Sequence, residues 1–258
     1  MGTPKRANYI SKTSAPKGRK LEMDEKHHKK PPKTFKVNPV KSVRRAKTAR
    51  TGRRGLHDLD EYFRGLSGFG MGAIGLTDHV TTYGEVTNQG LQILTEVFKR
   101  HAPLSGFTTP NRNFFDLGCG IGKAVVGLAL LVPEIHSNGI EIVPDRIRIA
   151  QTALSALSRI HTRNLSSRIQ IRQGNFLEPG ISYGSSCWIF ISNLGFTAET
   201  QRALAERLEN ECLSGSVVIC IRELPFSTDS VRFERVGSNI TIPMTWSATS
   251  TCQVYKRR

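Results

Sequence analysis

Phe114-Phe115-Asp116-Leu117-Gly118-Cys119-Gly120-Ile121-Gly122-Lys123 is the stretch whose reading decides the fold. Two aromatics and an Asp–Leu pair end a buried strand, glycines at alternate positions make a tight turn, and residues 124–131 continue as a helix. Glycine is required where backbone approaches a ligand closely or takes positive φ. The free N–H groups of a helix N-terminus suit an anionic group. The spacing is Gly-x-Gly-x-Gly after an acid, not the Gly-x-Gly-x-x-Gly of dinucleotide binders. On these residues alone, a glycine-rich turn of some other α/β protein reads the same way.

Downstream, Gly139-Ile140-Glu141 end a second strand. A carboxylate about 20 residues past such a turn is placed to accept hydrogen bonds from ribose hydroxyls. A helix over about residues 145–160 carries Ile147, Ala150, Leu154 and Leu157 on one face. A third strand at 168–171 leads into Gly174-Asn175-Phe176-Leu177, and a fourth at 186–192 into Asn193-Leu194-Gly195-Phe196. A helix at 198–208 and a fifth strand at 216–221, buried by its apolar run Val217-Val218-Ile219-Cys220, follow. Residues 231–255 read as a β-rich finish with Thr245-Trp246-Ser247 near the middle. The order β-α-β-α-β-β-α-β predicts an α/β fold, a mostly parallel twisted sheet with helices on both faces.

Upstream, Leu91, Leu94, Val97 and Phe98 recur at helical spacing, with Lys99 and Arg100 at the end where the dipole favours cations. Tyr83-Gly84-Glu85 stands just before that helix and by itself reads equally well as a capping turn. Residues 57–63 form a candidate short helix with Asp58 near its N-cap. The glycines from Gly65 to Gly75 then break any regular element, which predicts a loop that orders around a ligand or partner.

Charge divides the chain. Residues 1–54 carry 18 Lys/Arg against 3 Asp/Glu, a net of +15, and the remaining 204 carry 19 against 18, a net of +1. The first segment has few large apolar residues and reads as a disordered basic arm, with residues 55–258 as the globular domain. Its cation clusters suit phosphate neutralisation or a nuclear import signal. The bland alternative is a solvating tail, which does not need a single sign of charge. The five cysteines are scattered without a Cys-x-x-Cys pair, so neither a metal site nor a disulfide framework is expected, and a reducing compartment fits. No apolar run is long enough to span a membrane, and no signal peptide is read at the N-terminus.

Asp-x-Gly-x-Gly-x-Gly resembles motif I of the Rossmann-like class I methyltransferases, which hold S-adenosylmethionine. Tyr-Gly-Glu ahead of it, then Gly-x-Glu, Gly-Asn-Phe-Leu and Ile-Phe-Ile-Ser-Asn-Leu-Gly-Phe, make the chain similar to the Dot1 class of histone-lysine methyltransferases, which are not SET proteins. The likeness covers about residues 80–225, with a weaker echo at Trp246, and the small body resembles the kinetoplastid members of the class.

The resemblance implies a nuclear enzyme, expected as a monomer, that methylates a lysine on the globular core of histone H3 in nucleosomes, the basic arm meeting DNA. It implies that Tyr83, Gly84, Glu85 and Val86 lie over the cofactor's methionine end. Phe115, Asp116, Gly118, Gly120 and Gly122, with Lys123 just beyond, would form the main cradle, and Asp116 would face the methionine ammonium. Glu141 would take the ribose, and Asn175 and Phe176 the adenine. Asn193 would line the mouth of the lysine channel, with Phe196, Tyr83 and Trp246 as its apolar wall. Two residues depart from the family: Asn175 stands where Asp is usual, and Val86 where Thr is usual. No His or carboxylate in these motifs is an evident general base, so catalysis by positioning and desolvation is expected. Two rivals stay open on the residues: an RNA or other-protein methyltransferase of the same fold, and a non-catalytic nucleic-acid-binding module.

Overall fold

A computed structural model describes Leu56, Leu59 and residues 62–68, 83–160, 165–228 and 231–258. The arm at 1–54, Asp58 and the glycines at 70, 72 and 75 lie outside the described residues.

Helix α1 (Asn88–His101) starts where the Thr87 side chain accepts from the Gly90 amide, so Thr87 is the cap and Tyr83-Gly84-Glu85 precede it as extended chain. Its apolar face, Leu91, Leu94, Val97 and Phe98, is buried. Strand β1 (Asn113–Leu117) follows, then α2 (Lys123–Leu131), β2 (His136–Glu141), α3 (Pro144–Ile160), β3 (Ile169–Gln173) and β4 (Ser186–Ile191). The chain continues through α4 (Ala198–Glu211), β5 (Val217–Cys220), β6 (Phe233–Arg235), β7 (Ile240–Met244) and β8 (Ser247–Arg257).

The strands form one sheet in the order β3-β2-β1-β4-β5-β8-β6, with β7 paired to β8 off that path. β1 to β5 are parallel, and β8 closes the sheet antiparallel to β5. Alternation splits the core. Phe114, Trp188, Phe190, Val217 and Ile219 face α1, α2 and α3, whereas Phe115, Leu117, Ile189, Ile191, Val218 and Cys220 face α4. Trp188 anchors the first face: it stacks on Phe98 at 5.1 Å, and its Nε1–H donates to the Ala102 carbonyl at 2.8 Å. Truncating so buried a Trp to Ala costs about 3–5 kcal/mol.

The chain runs outward from β1 to β3 and then returns to β4 on the other side of β1. The crevice at the carboxyl ends of β1 and β4 is therefore the switch point at which open α/β sheets bind ligands. The fold is the Rossmann-like α/β arrangement of class I methyltransferases.

Candidate functional site

Everything in the site hangs on the turn after β1. Gly118 and Gly120 have φ of +84° and +56°, which side chains with a Cβ avoid. The Gly118 and Cys119 amides donate to the Ile140 carbonyl at 2.9 and 3.0 Å, and the Gly120 amide donates to Glu141 Oε2 at 2.8 Å. The turn is thus stitched to the end of β2. Gly122 shares the positive φ, at +83°, and has a second reason: a Cβ there would meet Ile171 Cδ1 at 2.5 Å, so it permits α2 to pack against β3. Lys123 opens α2 and borders a small recess that also includes Asp116, Gly118, Val86, Glu85 and Ser192.

Asp116 is buried, and burial, reinforced by the Glu141 charge, pushes its carboxyl up to about 8. Glu141 is also buried, but two backbone amides hold it, Gly120 on Oε2 and Val143 on Oε1 at 2.9 Å. A carboxylate has about four acceptor positions, so Glu141 retains capacity for a ligand. Arg146 Nη1 stands 3.7 Å from Glu141 Oε1 with its own side chain buried.

The Tyr83–Val86 segment is carried by the C-terminal hairpin. Val86 bridges to Met244, the Glu85 amide donates to Thr245 Oγ1 at 3.0 Å, and the Thr245 amide donates to the Glu85 carbonyl at 2.8 Å. Tyr83 lies across the glycine turn: a Cβ on Gly120 would come 2.6 Å from its Cε2. Its hydroxyl donates to Glu85 Oε1 at 2.5 Å, and burial and the Glu85 charge raise its pKa. Trp246, at the hairpin turn, lies so close on Gly84 that any Cβ there would collide with the indole ring. The capping turn that these residues also allowed is not formed, since Thr87 caps α1. The segment lies as a cover across the glycine turn, held by tertiary contacts.

On the opposite wall, Phe176 and Phe196 meet with ring centroids 5.0 Å apart, and Phe196 lies over Gly118. Asn175 Oδ1 accepts from the Leu177 amide at 2.9 Å, so it shapes its own turn and offers a ligand only its remaining lone pair and its N–H groups.

Two expected site residues are placed elsewhere. Asn193 is fully buried. Its Nδ2 donates to Gln201 Oε1 at 3.0 Å and to the Arg222 carbonyl at 2.9 Å, and its Oδ1 accepts from the Arg222 amide at 2.8 Å. It ties the end of β4 to α4 and the segment after β5, and its neighbour Ser192 lines the cleft instead. Phe115 packs edge-on against Tyr183, with centroids 5.5 Å apart, in the α4-side core. Phe115 alternates with Asp116 along β1 and so faces the other side of the sheet, whereas Asn193 opens a 3-10 turn after β4 that buries its side chain.

What remains is a cleft of about 430 Å³, lined by Tyr83, Gly84, Gly118, Glu141, Ile142, Arg146, Asn175, Phe176, Leu177, Ser192, Leu194, Phe196 and Trp246, among others. Sequence reasoning passed over Arg146, Ile142 and Ser192. Arg146 carried a signal, since a cation in a first helical turn opposes the dipole and calls for another partner. Chemically, the cleft offers a fixed carboxylate, a buried acid beside it, two aromatic rings and an apolar mouth. Such a site suits a small ligand bearing hydroxyls, a cation and a flat ring.

A sheet of this order with such a cleft at its switch point defines the class I methyltransferase fold. Residues 78–252 match the sequence model of the family described as "Histone methylation protein DOT1", and the chain belongs to that family. It is 30% identical over 105 residues to a protein-lysine N-methyltransferase of Saccharolobus islandicus (strain REY15A), a match that covers 41% of this chain and 58% of that protein. Among solved structures it is similar to an RNA methyltransferase from Salinibacter ruber in complex with S-adenosyl-L-homocysteine, at 19% identity and a TM-score of 0.40, over 63% of this chain and 89% of that one. It is also similar to PKMT2 from Rickettsia typhi in complex with AdoHcy, at 16% identity and a TM-score of 0.38, over 49% and 24%.

Proposed function

We propose that the chain is an S-adenosylmethionine-dependent protein-lysine N-methyltransferase that acts on a lysine of the globular core of histone H3 in nucleosomes. The observation that carries the reading is the placement of two buried acids at the carboxyl ends of β2 and β1, Glu141 lining the cleft and Asp116 the recess that adjoins it at Tyr83, Gly84, Gly118 and Ser192.

The residues fit that cofactor. Glu141 has acceptor capacity left for a pair of vicinal hydroxyls, and two amides fix its direction. Asp116 is a carboxyl held up by burial, and an ammonium beside it restores its ionised form. Phe176 and Phe196 provide a flat apolar wall for a purine. S-Adenosylmethionine supplies a methyl group on a sulfonium sulfur, transferable to a neutral amine by direct displacement. The chain's part is to make the amine neutral and to aim it. A free lysine is protonated at pH 7, and the apolar mouth formed by Ile142, Leu194, Phe196 and Trp246 lowers its pKa by desolvation. Among the described cleft-lining residues the only ionisable side chains are Tyr83, Glu141 and Arg146, each engaged with neighbours, so the amine proton leaves to solvent. Positioning and exclusion of water carry the rate.

The histone-specific part rests on the family and on the basic arm, whose net charge of +15 suits DNA next to a body of net +1. The nucleus is the matching compartment. The archaeal protein-lysine relative favours a second reading, methylation of lysines on other proteins. Labelled cofactor incubated separately with nucleosomes, free histones, mixed non-histone proteins and total RNA distinguishes them. Label entering histone H3 only within nucleosomes sustains the first reading, label in many proteins the second, and label in RNA overturns both.

A further inference from the structure

Arg146 occupies an expensive position. It is 4% exposed and lies in the first turn of α3, where the dipole opposes a cation. Among the described residues, groups from three other parts of the chain compensate it. Glu141 Oε1 is 3.7 Å from Nη1, the Gly68 carbonyl accepts from Nε at 3.3 Å, and the Tyr83 ring lies beneath the guanidinium with Cζ 4.6 Å from its centroid. Gly68 also packs directly on the Tyr83 ring, because any Cβ there would collide with it. Gly68 and Gly120 thus both crowd the hydroxyl end of Tyr83, with Arg146 over its face. Gly68 also lies before the start of the family match at residue 78.

We infer that Arg146 is a positioning residue which locks the Tyr83 cover and the 62–68 segment onto Glu141, and so sets the closed form of the cofactor cleft. The guanidinium suits the task because its rigid fork of five N–H donors reaches a carboxylate and a carbonyl at once and still presents a flat face to an aromatic ring. An ammonium has the charge but not the fork. A cover seated this way acts on binding: it decides whether the walls of the cleft stand at the right separation before the acceptor lysine arrives. The 62–68 segment thereby belongs to the site through Gly68.

The inference rests on the cofactor reading above, and the test separates the two. Full-length wild type, Arg146→Lys and Gly68→Ala are compared by calorimetry with S-adenosylhomocysteine, by steady-state methylation of nucleosomes, and by acrylamide quenching of Trp246. The chain's other tryptophan, Trp188, is fully buried and out of the quencher's reach. Expected are a rise of about tenfold or more in the ligand Kd and the cofactor KM of both variants and, for Gly68→Ala, a kcat at saturating cofactor within about twofold of wild type. Trp246 should be more readily quenched in both, because the cover that it packs on has loosened. Gly68→Ala reaches the lock without touching the buried ion pair, so loss of folding in Arg146→Lys leaves the test intact. Unchanged Kd and quenching in the variants overturn the inference. A wild-type chain that gives no heat with the ligand overturns the proposed function instead. Quenching without ligand then decides the lock: raised in the variants, it stands; equal to wild type, it falls.

Discussion

Glu141 Oε2 accepts a hydrogen bond from the Gly120 amide at 2.8 Å, across 21 residues of chain. One carboxylate thereby fixes the geometry of the turn after β1 and presents itself to the cleft. Its other oxygen is held by the Val143 amide, so neither its position nor its direction is left to the ligand.

Glu141→Gln turns an amide NH2 toward one of those two backbone donors. Loss of a charge-assisted hydrogen bond costs about 1.5–3 kcal/mol, so S-adenosylhomocysteine should bind roughly 10- to 100-fold more weakly. Calorimetry measures it, and a fall in Tm should accompany it because the turn loses its tie. A variant with wild-type affinity removes Glu141 from the binding site.

Gly84→Ala places a methyl group against the Trp246 ring. Trp246 is 40% exposed at the hairpin turn, so it yields outward and the core is undisturbed. The acceptor KM on nucleosomes should rise by about tenfold with Tm nearly unchanged. An unchanged KM argues against Trp246 as part of the lysine channel wall.

Asp116 sets a pH dependence. Its folded pKa of about 8 lies above the unfolded value near 3.9, so the protonated form is favoured by folding. Its contribution to stability is full below about pH 4 and is lost as pH rises toward 8. Asp116→Asn should therefore raise the ligand-free Tm at pH 8 relative to wild type and flatten the profile between these limits. The same variant should bind cofactor more weakly. At pH 7 wild-type binding should release protons, read from calorimetry in buffers of different ionisation enthalpy, and the variant should release fewer. Equal proton release by both chains would place the ligand's cation away from Asp116.

Asn193→Ala should act on stability before catalysis. The change removes the side-chain partner of the part-buried amide and carbonyl of Arg222 and of Gln201 Oε1, while Gln201 Nε2 keeps its bond to the Phe196 carbonyl. Each unsatisfied buried group costs about 1–3 kcal/mol, so a clear fall in Tm or in the denaturation midpoint is expected. Ser192→Ala, which changes the residue that lines the cleft, should leave Tm near wild type. A fully stable Asn193→Ala chain would contradict the bonding described here.

Deleting residues 1–54 removes 18 Lys/Arg. Binding to nucleosomes should weaken and become less sensitive to salt, because fewer counterions are released from DNA. A titration over a range of salt concentrations gives the slope, and an identical slope for the two proteins takes the arm out of nucleosome binding.

Several of these features were written in the chain's local pattern. The order of strands and helices, the glycine turn and the place of Glu141 at the end of β2 follow from periods of about 2 and 3.6 residues and from backbone angles open only to glycine. These are short-range constraints, so a linear reading recovers them. Only the tertiary structure seats Tyr83–Val86 on a hairpin, with Glu85 and Thr245 paired although 160 residues apart. It alone sends Ser192 into the cleft and Asn193 behind it, and it alone brings Arg146, Gly68, Tyr83 and Glu141 to one point. The physical reason is that side-chain direction at a strand end, and the pairing of segments far apart in the chain, are set by packing against the whole sheet. No local run of residues carries that information.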